Sequence, residues 1–243
     1  MLHLLRKKAC KQITLIVIIL LAISRISYSQ ELNLEDHDNK PYYFGITLGV
    51  NLARFATDLH PHFLQTDTVL VAEPANAGGF ALGLSATGRL SNRFEARFNP
   101  QLMFTERHLS YQLKYNDPMD GGPKITKKIE SVIISFPVQL KFNSDRIGNF
   151  RVYMLGGIKG DVDLASNARA KKAEQLVKIN KYDYGFELGL GFNFYFPSFI
   201  FSPEIKISNG LSNLHSRDES LKYSSALDRI LSRMIVFSIH LEG

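Results

Sequence analysis

Cysteine is nearly missing from this chain. The one present, Cys10, lies in a stretch expected to be removed, so the mature protein has none. That excludes a disulfide scaffold, a thiolate zinc site and a thiol nucleophile. Cys10 also precedes the apolar segment, which is the wrong place for a lipid-acceptor cysteine. Long apolar runs are missing too. The longest, Ile13 to Ile23, spans roughly 11 residues where a membrane-spanning helix needs about 20. Tryptophan is absent, which decides nothing.

The first 29 residues read as a secretory signal. Arg6, Lys7, Lys8 and Lys11 form the basic region, Ile13 to Ile23 the apolar one, and Ser27-Tyr28-Ser29 a small-residue cleavage site. This segment holds five basic side chains and no acidic one. Of the chain's 29 basic residues it leaves 24, against 23 acidic. The pI of about 9.3 is therefore mostly a property of the signal and gives no reason to expect nucleic acid. The remaining 214 residues would make one barrel or two small soluble domains.

Most informative is Tyr182 to Phe196. Tyr182, Tyr184, Phe186, Leu188, Leu190, Phe192, Phe194 and Phe196 alternate with Asp183, Gly185, Glu187, Gly189, Gly191 and Asn193. Period two means a strand. One face is a hydrocarbon band with aromatics at both ends. The other has little bulk, which suits the inside of a narrow barrel with the apolar face in lipid. The same rhythm recurs over Tyr42–Leu52, Phe80–Leu90, Phe94–Phe104, Val132–Phe142, Phe150–Asp161, Phe199–Ile207 and Arg233–Glu242. The spacing predicts an all-β, eight-stranded antiparallel transmembrane barrel over residues 42–243, preceded by a lead-in at 30–41 without regular structure.

Connection lengths alternate. Residues 91–92, 143–149 and 197–198 are short, whereas 54–76, 105–127, 162–181 and 209–230 are long. Outer-membrane barrels are built this way, with tight periplasmic turns and long outer loops. An even strand count puts both termini in the periplasm. Asn116 to Pro123 is a turn cluster, and residues 165–178 could form a short helix. Pro137 and Pro203, inside strand patterns, imply a bulge, a bend or a strand end.

The inward set holds charges of both signs: Glu95, Arg97, Lys141, Arg151, Lys159, Asp161, Asp183, Glu187, Glu204 and Lys206. Of these, Glu95, Arg97, Lys141, Arg151, Glu187, Glu204 and Lys206 are expected to form an ion-pair network that plugs the bore, with Gly185, Gly189 and Gly191 leaving it room. An eight-stranded bore is narrow enough for side chains to fill. Charges turned to lipid would each cost about 2–4 kcal/mol at the midplane. Other chemistry is thinly supported. His60-Pro61-His62 could be half of a metal site, without a third ligand in view. His108, His215 and nearby serines invite comparison with barrel enzymes, but nothing fixes a nucleophile, base and orienter in mutual reach. The glycines of 185–191 sit within a strand and are no dinucleotide fingerprint.

Several segments carry a family resemblance. They are Ser29-Gln30 at the cleavage site, Tyr43-Phe-Gly-Ile-Thr-Leu-Gly-Val-Asn51, Ile134-Ser-Phe-Pro-Val-Gln-Leu-Lys-Phe142, Tyr184-Gly-Phe-Glu-Leu-Gly-Leu-Gly-Phe192 and Arg233-Met-Ile-Val-Phe-Ser-Ile-His-Leu241. Over essentially the whole mature chain, this resembles the PorT-type (SprT-type) eight-stranded barrels of the Bacteroidota outer membrane. The resemblance implies a non-enzymatic accessory component of the type IX secretion system, which exports proteins and in some species supports gliding. Its implied partners are outer-membrane lipid and other secretion-system membrane proteins, with no cofactor, nucleic acid or small-molecule substrate. No catalytic residue carries over. The end, Leu241-Glu242-Gly243, departs from the terminal aromatic of many barrels. A general surface barrel for adhesion or envelope integrity is the alternative; a solute channel or a lipid-modifying enzyme ranks below it.

Overall fold

In the computed structural model, described for residues 32–60, 69–117, 122–166, 179–216 and 227–243, alternation along the chain becomes a ring of strands. The strands are β1 (Tyr42–Leu59), β2 (Val69–Ala75), β3 (Ala77–Arg89), β4 (Phe94–Phe98), β5 (Gln101–Asp117), β6 (Gly122–Asn143), β7 (Phe150–Asp163), β8 (Tyr182–Tyr195), β9 (Ile200–Gly210) and β10 (Leu227–Glu242). Neighbours pair antiparallel from β10 back to β6. β6 pairs with both β4 and β5, and β3 joins β1 as β1 joins β10. The sheet is closed. With β2–β3 and β4–β5 each counted as one interrupted strand, the barrel has eight. Closure is what lipid demands, because an open edge in hydrocarbon leaves N–H and C=O groups without partners. No helix among the described residues is long and apolar enough to cross a membrane.

Prolines explain the break between β4 and β5, where a single strand from Phe94 to Phe104 was expected. Pairing runs in one register on both sides of the gap, Phe98 with Val138 and Gln101 with Ser135. Asn99-Pro100 therefore lies opposite Phe136-Pro137. Neither proline has an N–H to give, so the ladder lapses there. The segment stays seated through Asn99 N donating to the Pro137 carbonyl at 3.3 Å and Leu84 N to the Pro100 carbonyl at 3.0 Å. Pro203 acts similarly on β8–β9, whose ladder skips from Gly191–Glu204 to Phe194–Phe201, while its pairing with Ile239 on β10 is kept. The Ser202 hydroxyl donates to the Asn193 side chain at 2.9 Å across the lapse.

Outward positions form a hydrocarbon belt. On β6 it runs from Val132 to Phe142, ten residue steps. At about 3.3 Å per step and a tilt near 40° that is about 25 Å, the height of a barrel's lipid-facing zone. Aromatic side chains gather at its rims. Tyr182 and Tyr184 lie at one, and the pairs Phe94–Phe142, Phe150–Phe194 and Phe196–Phe199 at the other.

The connections at one end are short: 90–93, 144–149 and 196–199. At the other end, the expected long connections are largely strand. β1 continues to Leu59, β2 occupies Val69–Ala75, and β5 and β6 extend to Asp117 and from Gly122. β6 alone has 22 residues, about twice what spanning needs. Beyond the belt the alternation changes sense. Glu106, His108, Lys124 and Lys128 face outward, while Phe55, Leu109, Tyr111 and Ile125 turn in and pack with Ile179, Leu214, Leu227 and Ile230. Once water replaces lipid outside, the apolar face belongs inside.

Both ends of the described barrel lie at the short-turn side, where Gly243 N donates to the Phe44 carbonyl and Arg89 N to the Pro41 carbonyl. The lead-in there is not irregular. It forms a 3₁₀ turn over Glu35–Asn39, held by Arg146 of the β6–β7 turn. Arg146 donates to Asp38 at 2.9 Å, to the Asn33 carbonyl and to the Asn149 side chain at 3.0 Å, and its guanidinium lies 3.7 Å from the Tyr195 ring centroid. The expected signal over 1–29 lies outside the described residues, as does most of the 165–178 segment.

Candidate functional site: the filled barrel interior

β4 presents Glu95 and Arg97 inward, β6 Gln139 and Lys141, β8 Glu187, β9 Glu204 and Lys206. Each is placed by the two-residue period that sends its neighbours into lipid. Arg97, wholly buried, is the centre of the network. It is ion-paired with Glu204, donates through Nε to Gln139 at 2.9 Å and lies 3.9 Å from Glu242. Glu204 also accepts from the Tyr153 hydroxyl at 2.8 Å, with His240 Nε2 at 3.4 Å. Gln139 passes the chain on by donating to Glu187 at 2.7 Å, and Glu187 is paired with Lys206 at 3.2 Å.

Nearer the short-turn end, Lys141 stands 3.5 Å from Glu95, 4.0 Å from Glu242 and 4.3 Å over the Tyr153 ring. Glu95 accepts from the Tyr43 hydroxyl at 2.9 Å and has Arg89 at 3.5 Å. The Tyr43 ring lies 4.5 Å from that of His37 in the lead-in. The polar filling thus runs on into the cap at the mouth.

Six of the seven residues expected to share a network therefore sit together: Glu95, Arg97, Lys141, Glu187, Glu204 and Lys206. Arg151 does not join them. It stands at the short-turn mouth, the second residue of β7, 3.6 Å from Asp38 of the lead-in and 6.0 Å from the Tyr195 ring centroid. Lys159 and Asp161 pair with each other on β7, and Ser135 donates to Asp161 at 2.6 Å. Asp183 accepts from Ser212. Sequence reasoning missed Glu242, His240, Tyr43, Tyr153 and Gln139 as members, and Arg107, buried 4.0 Å from Asp163 and 4.8 Å from the Phe55 ring centroid. Glu242 and His240 carried a usable signal, since they share the phase of Ser238. The tyrosines carried the same signal, Tyr43 sharing the phase of Gly45 and Thr47 and Tyr153 that of Arg151 and Lys159.

Gly191 shows how the small face is used. A Cβ there would come within 2.3–2.8 Å of the Tyr153 ring and hydroxyl, which lies across the rung. The glycine leaves room for an aromatic that delivers a hydrogen bond to Glu204. At Gly189 a Cβ would meet the Lys206 Cβ at 2.8 Å, so that glycine makes space for a charge, as expected.

One constellation resembles a nucleophile, base and acid. His240 Nδ1 lies 2.9 Å from the Thr47 hydroxyl, with Glu204 on the other ring nitrogen. Thr47 donates to Asn99 at 3.1 Å, and Thr47, His240 and Glu204 are all at most 1% exposed. There is no space beside them for a reacting group. Of the other histidines considered, His108 faces outward, 3.0 Å from Glu106, and His215 lies buried at the Asp228 carbonyl. Residues 61–62 of the His60-Pro61-His62 motif lie outside the described residues. No group of three or more metal-ligating side chains occurs among the described residues.

A family model described as "Outer membrane protein beta-barrel domain" matches residues 28–216. The chain belongs to this family. It is an outer-membrane β-barrel. Among solved structures it is similar to Neisserial surface protein A (9% identity, 82% of this chain and 96% of that one, TM-score 0.39). It is also similar to OprG from Pseudomonas aeruginosa (14%, 82% and 93%, TM-score 0.39) and to the attachment invasion locus protein Ail of Yersinia pestis (11%, 84% and 100%, TM-score 0.39). At these values the likeness concerns the general barrel form alone. No curated protein matches the chain in sequence.

Proposed function

We propose that this barrel is a non-enzymatic, non-conducting accessory component of the type IX protein secretion system, with its termini in the periplasm. The observation that carries the reading is the filled bore. Arg97, Lys141, Glu204 and His240 have essentially no surface open to solvent. A lumen that passes solutes would leave its lining charges wet. With the interior committed to holding the strands together, action falls to the wall, the mouth and the extended strands, all suited to contacts with other envelope proteins. The motif resemblance to PorT-type barrels supports the specific system, and the position of both ends of the described barrel beside the short turns supports the orientation. The test is deletion of the gene followed by an assay of secreted cargo. Cargo bearing C-terminal export signals should accumulate in the periplasm and return to the medium on complementation. Unimpaired export would overturn the secretion role.

One observation favours a second reading, a surface barrel for adhesion. β2, β5 and β6 continue past the lipid belt as a three-stranded sheet whose outer face carries Glu73, Glu106, His108, Lys124, Lys128 and Glu130. Normal export combined with lost binding of cells to a surface would select it.

A further inference from the structure

Arg54 on β1 and Arg233 on β10 are register partners. Both point out of the barrel, since the flanking Ala53, Phe55, Ser232 and Met234 are buried. Two guanidinium groups thus face each other across one antiparallel rung, where Cβ atoms lie about 5 Å apart and like charges destabilise. Among the described residues neither arginine has a hydrogen bond, an ion pair or a ring contact. A repulsive pair with no protein counter-charge calls for an anion from elsewhere.

Position identifies the anion. One rung toward the short-turn end, Leu52 faces Ile235, and Ile207 continues the row on β9. On the arginines' own rung the row continues to Asn209. The cations therefore stand near the margin of the belt, one apolar rung (Ala56 and Leu231) short of the charged rung Asp58 and Arg229, where long arginine side chains reach the lipid headgroups. With Phe186, Leu211 and Leu231 among others, the side chains of the arginine and Leu52 rows line a groove of about 600 Å³ on the outer wall. That is room for a headgroup and the start of a chain.

We propose that this groove holds a phosphorylated membrane lipid of the leaflet at the long-loop end. The paired guanidiniums take its phosphate in forked hydrogen bonds, Asn209 bonds a neighbouring headgroup hydroxyl, and an acyl chain lies along Leu52, Ile207 and Ile235. Free phosphate is not the occupant, because it offers nothing to the apolar rows beneath. The assignment is independent of any role in secretion.

The test is native mass spectrometry of the full-length protein released from detergent after incubation with lipid A, a bisphosphorylated glycolipid, or with phosphatidylcholine. The wild type should keep one lipid A and release phosphatidylcholine. Arg54→Gln/Arg233→Gln should lower lipid A retention at least tenfold, and Arg54→Lys/Arg233→Lys, which keeps the charge but not the fork, several-fold. Arg93→Gln, at the other end, should change nothing. Heat-dependent electrophoretic migration verifies that each variant is a folded barrel; if the glutamine pair fails it, the lysine pair carries the test. Undiminished retention by a folded double variant overturns the proposal, as does equal retention of phosphatidylcholine. Release of lipid A by millimolar inorganic phosphate overturns the lipid assignment in favour of a simple anion site.

Discussion

At the scale of single residues, the interior is a set of obligations. Arg97 and Glu204 are buried together and share partners with Gln139, Tyr153 and His240. Removing one charge leaves the other uncompensated, which costs about 3–5 kcal/mol in a buried pair. Arg97→Met should therefore lower folding stability by about that much in urea titrations of vesicle-reconstituted protein. Arg97→Met/Glu204→Gln should recover a large part of it; a double variant as weak as the sum of the singles would mean the two groups are not coupled. Gly191→Ala is a steric counterpart. Its methyl meets the Tyr153 ring rather than a flexible chain end, so a loss of about 1–3 kcal/mol is expected in the same titration, and it should shrink when Tyr153 is also made Leu. His37 is buried against Tyr43. Desolvation, with Lys40 and Arg89 adding to it, holds its pKa below the ordinary value. The folded cap thus prefers neutral imidazole. Its stability is present above the ordinary pKa of about 6.5 and is lost as pH falls through and below it, because the released lead-in binds the proton better. Hydrogen exchange of residues 33–40, corrected for intrinsic rates, should show protection at pH 7.5 that weakens at pH 5, and His37→Phe should abolish the difference.

At the scale of elements, the change of sense beyond the belt is the main thing that the sequence concealed. The eight lipid-spanning segments were legible because each keeps one phase of apolar residues, as in Val132 to Phe142. Above the belt, β5 and β6 keep their period but exchange faces, Leu109 and Tyr111 inward against His108 and Ser110 outward. A reading that follows apolar residues on a fixed phase loses the strand there and records a loop, which is how 54–76 and 105–127 came to look like connections. The proline break at Asn99-Pro100 was half legible, since Pro137 was visible but its position opposite Asn99, diagonal to Pro100, depends on register. The lead-in cap was not legible at all. It depends on Arg146, over a hundred residues from Asp38 and outside any motif. The exchange of faces has a measurable consequence. Leu109→Ala removes hydrocarbon from a closed core and should cost about 2–5 kcal/mol, with faster hydrogen exchange across β5. Leu84→Ala, on the outward face where lipid tails replace the lost contacts, should cost far less. Equal costs would contradict the assignment of the belt's edge.

At the scale of the whole molecule, three layers close the barrel along its axis. The lead-in cap sits at the short-turn mouth. The ion-pair network centred on Arg97 follows, and above it comes the apolar core of Phe55, Leu109, Tyr111, Ile230 and their neighbours. The layers differ in chemistry, so no single perturbation opens them all. Salt weakens charges in water but reaches buried pairs poorly, and low pH that frees His37 leaves the apolar layer intact. An ion crossing the bore would have to displace a paired guanidinium or carboxylate and then pass hydrocarbon without water. In planar bilayers the full-length protein should therefore show no stable conductance, at neutral pH or at pH 5, and Arg97→Met should stay silent because the apolar layer remains. Steady nanosiemens steps from the wild type would contradict the filled bore, and with it the argument that function lies on the outside of the barrel. Steps only in a variant that disrupts both layers, such as Arg97→Ser/Leu109→Ser, would show that the two seals act in series.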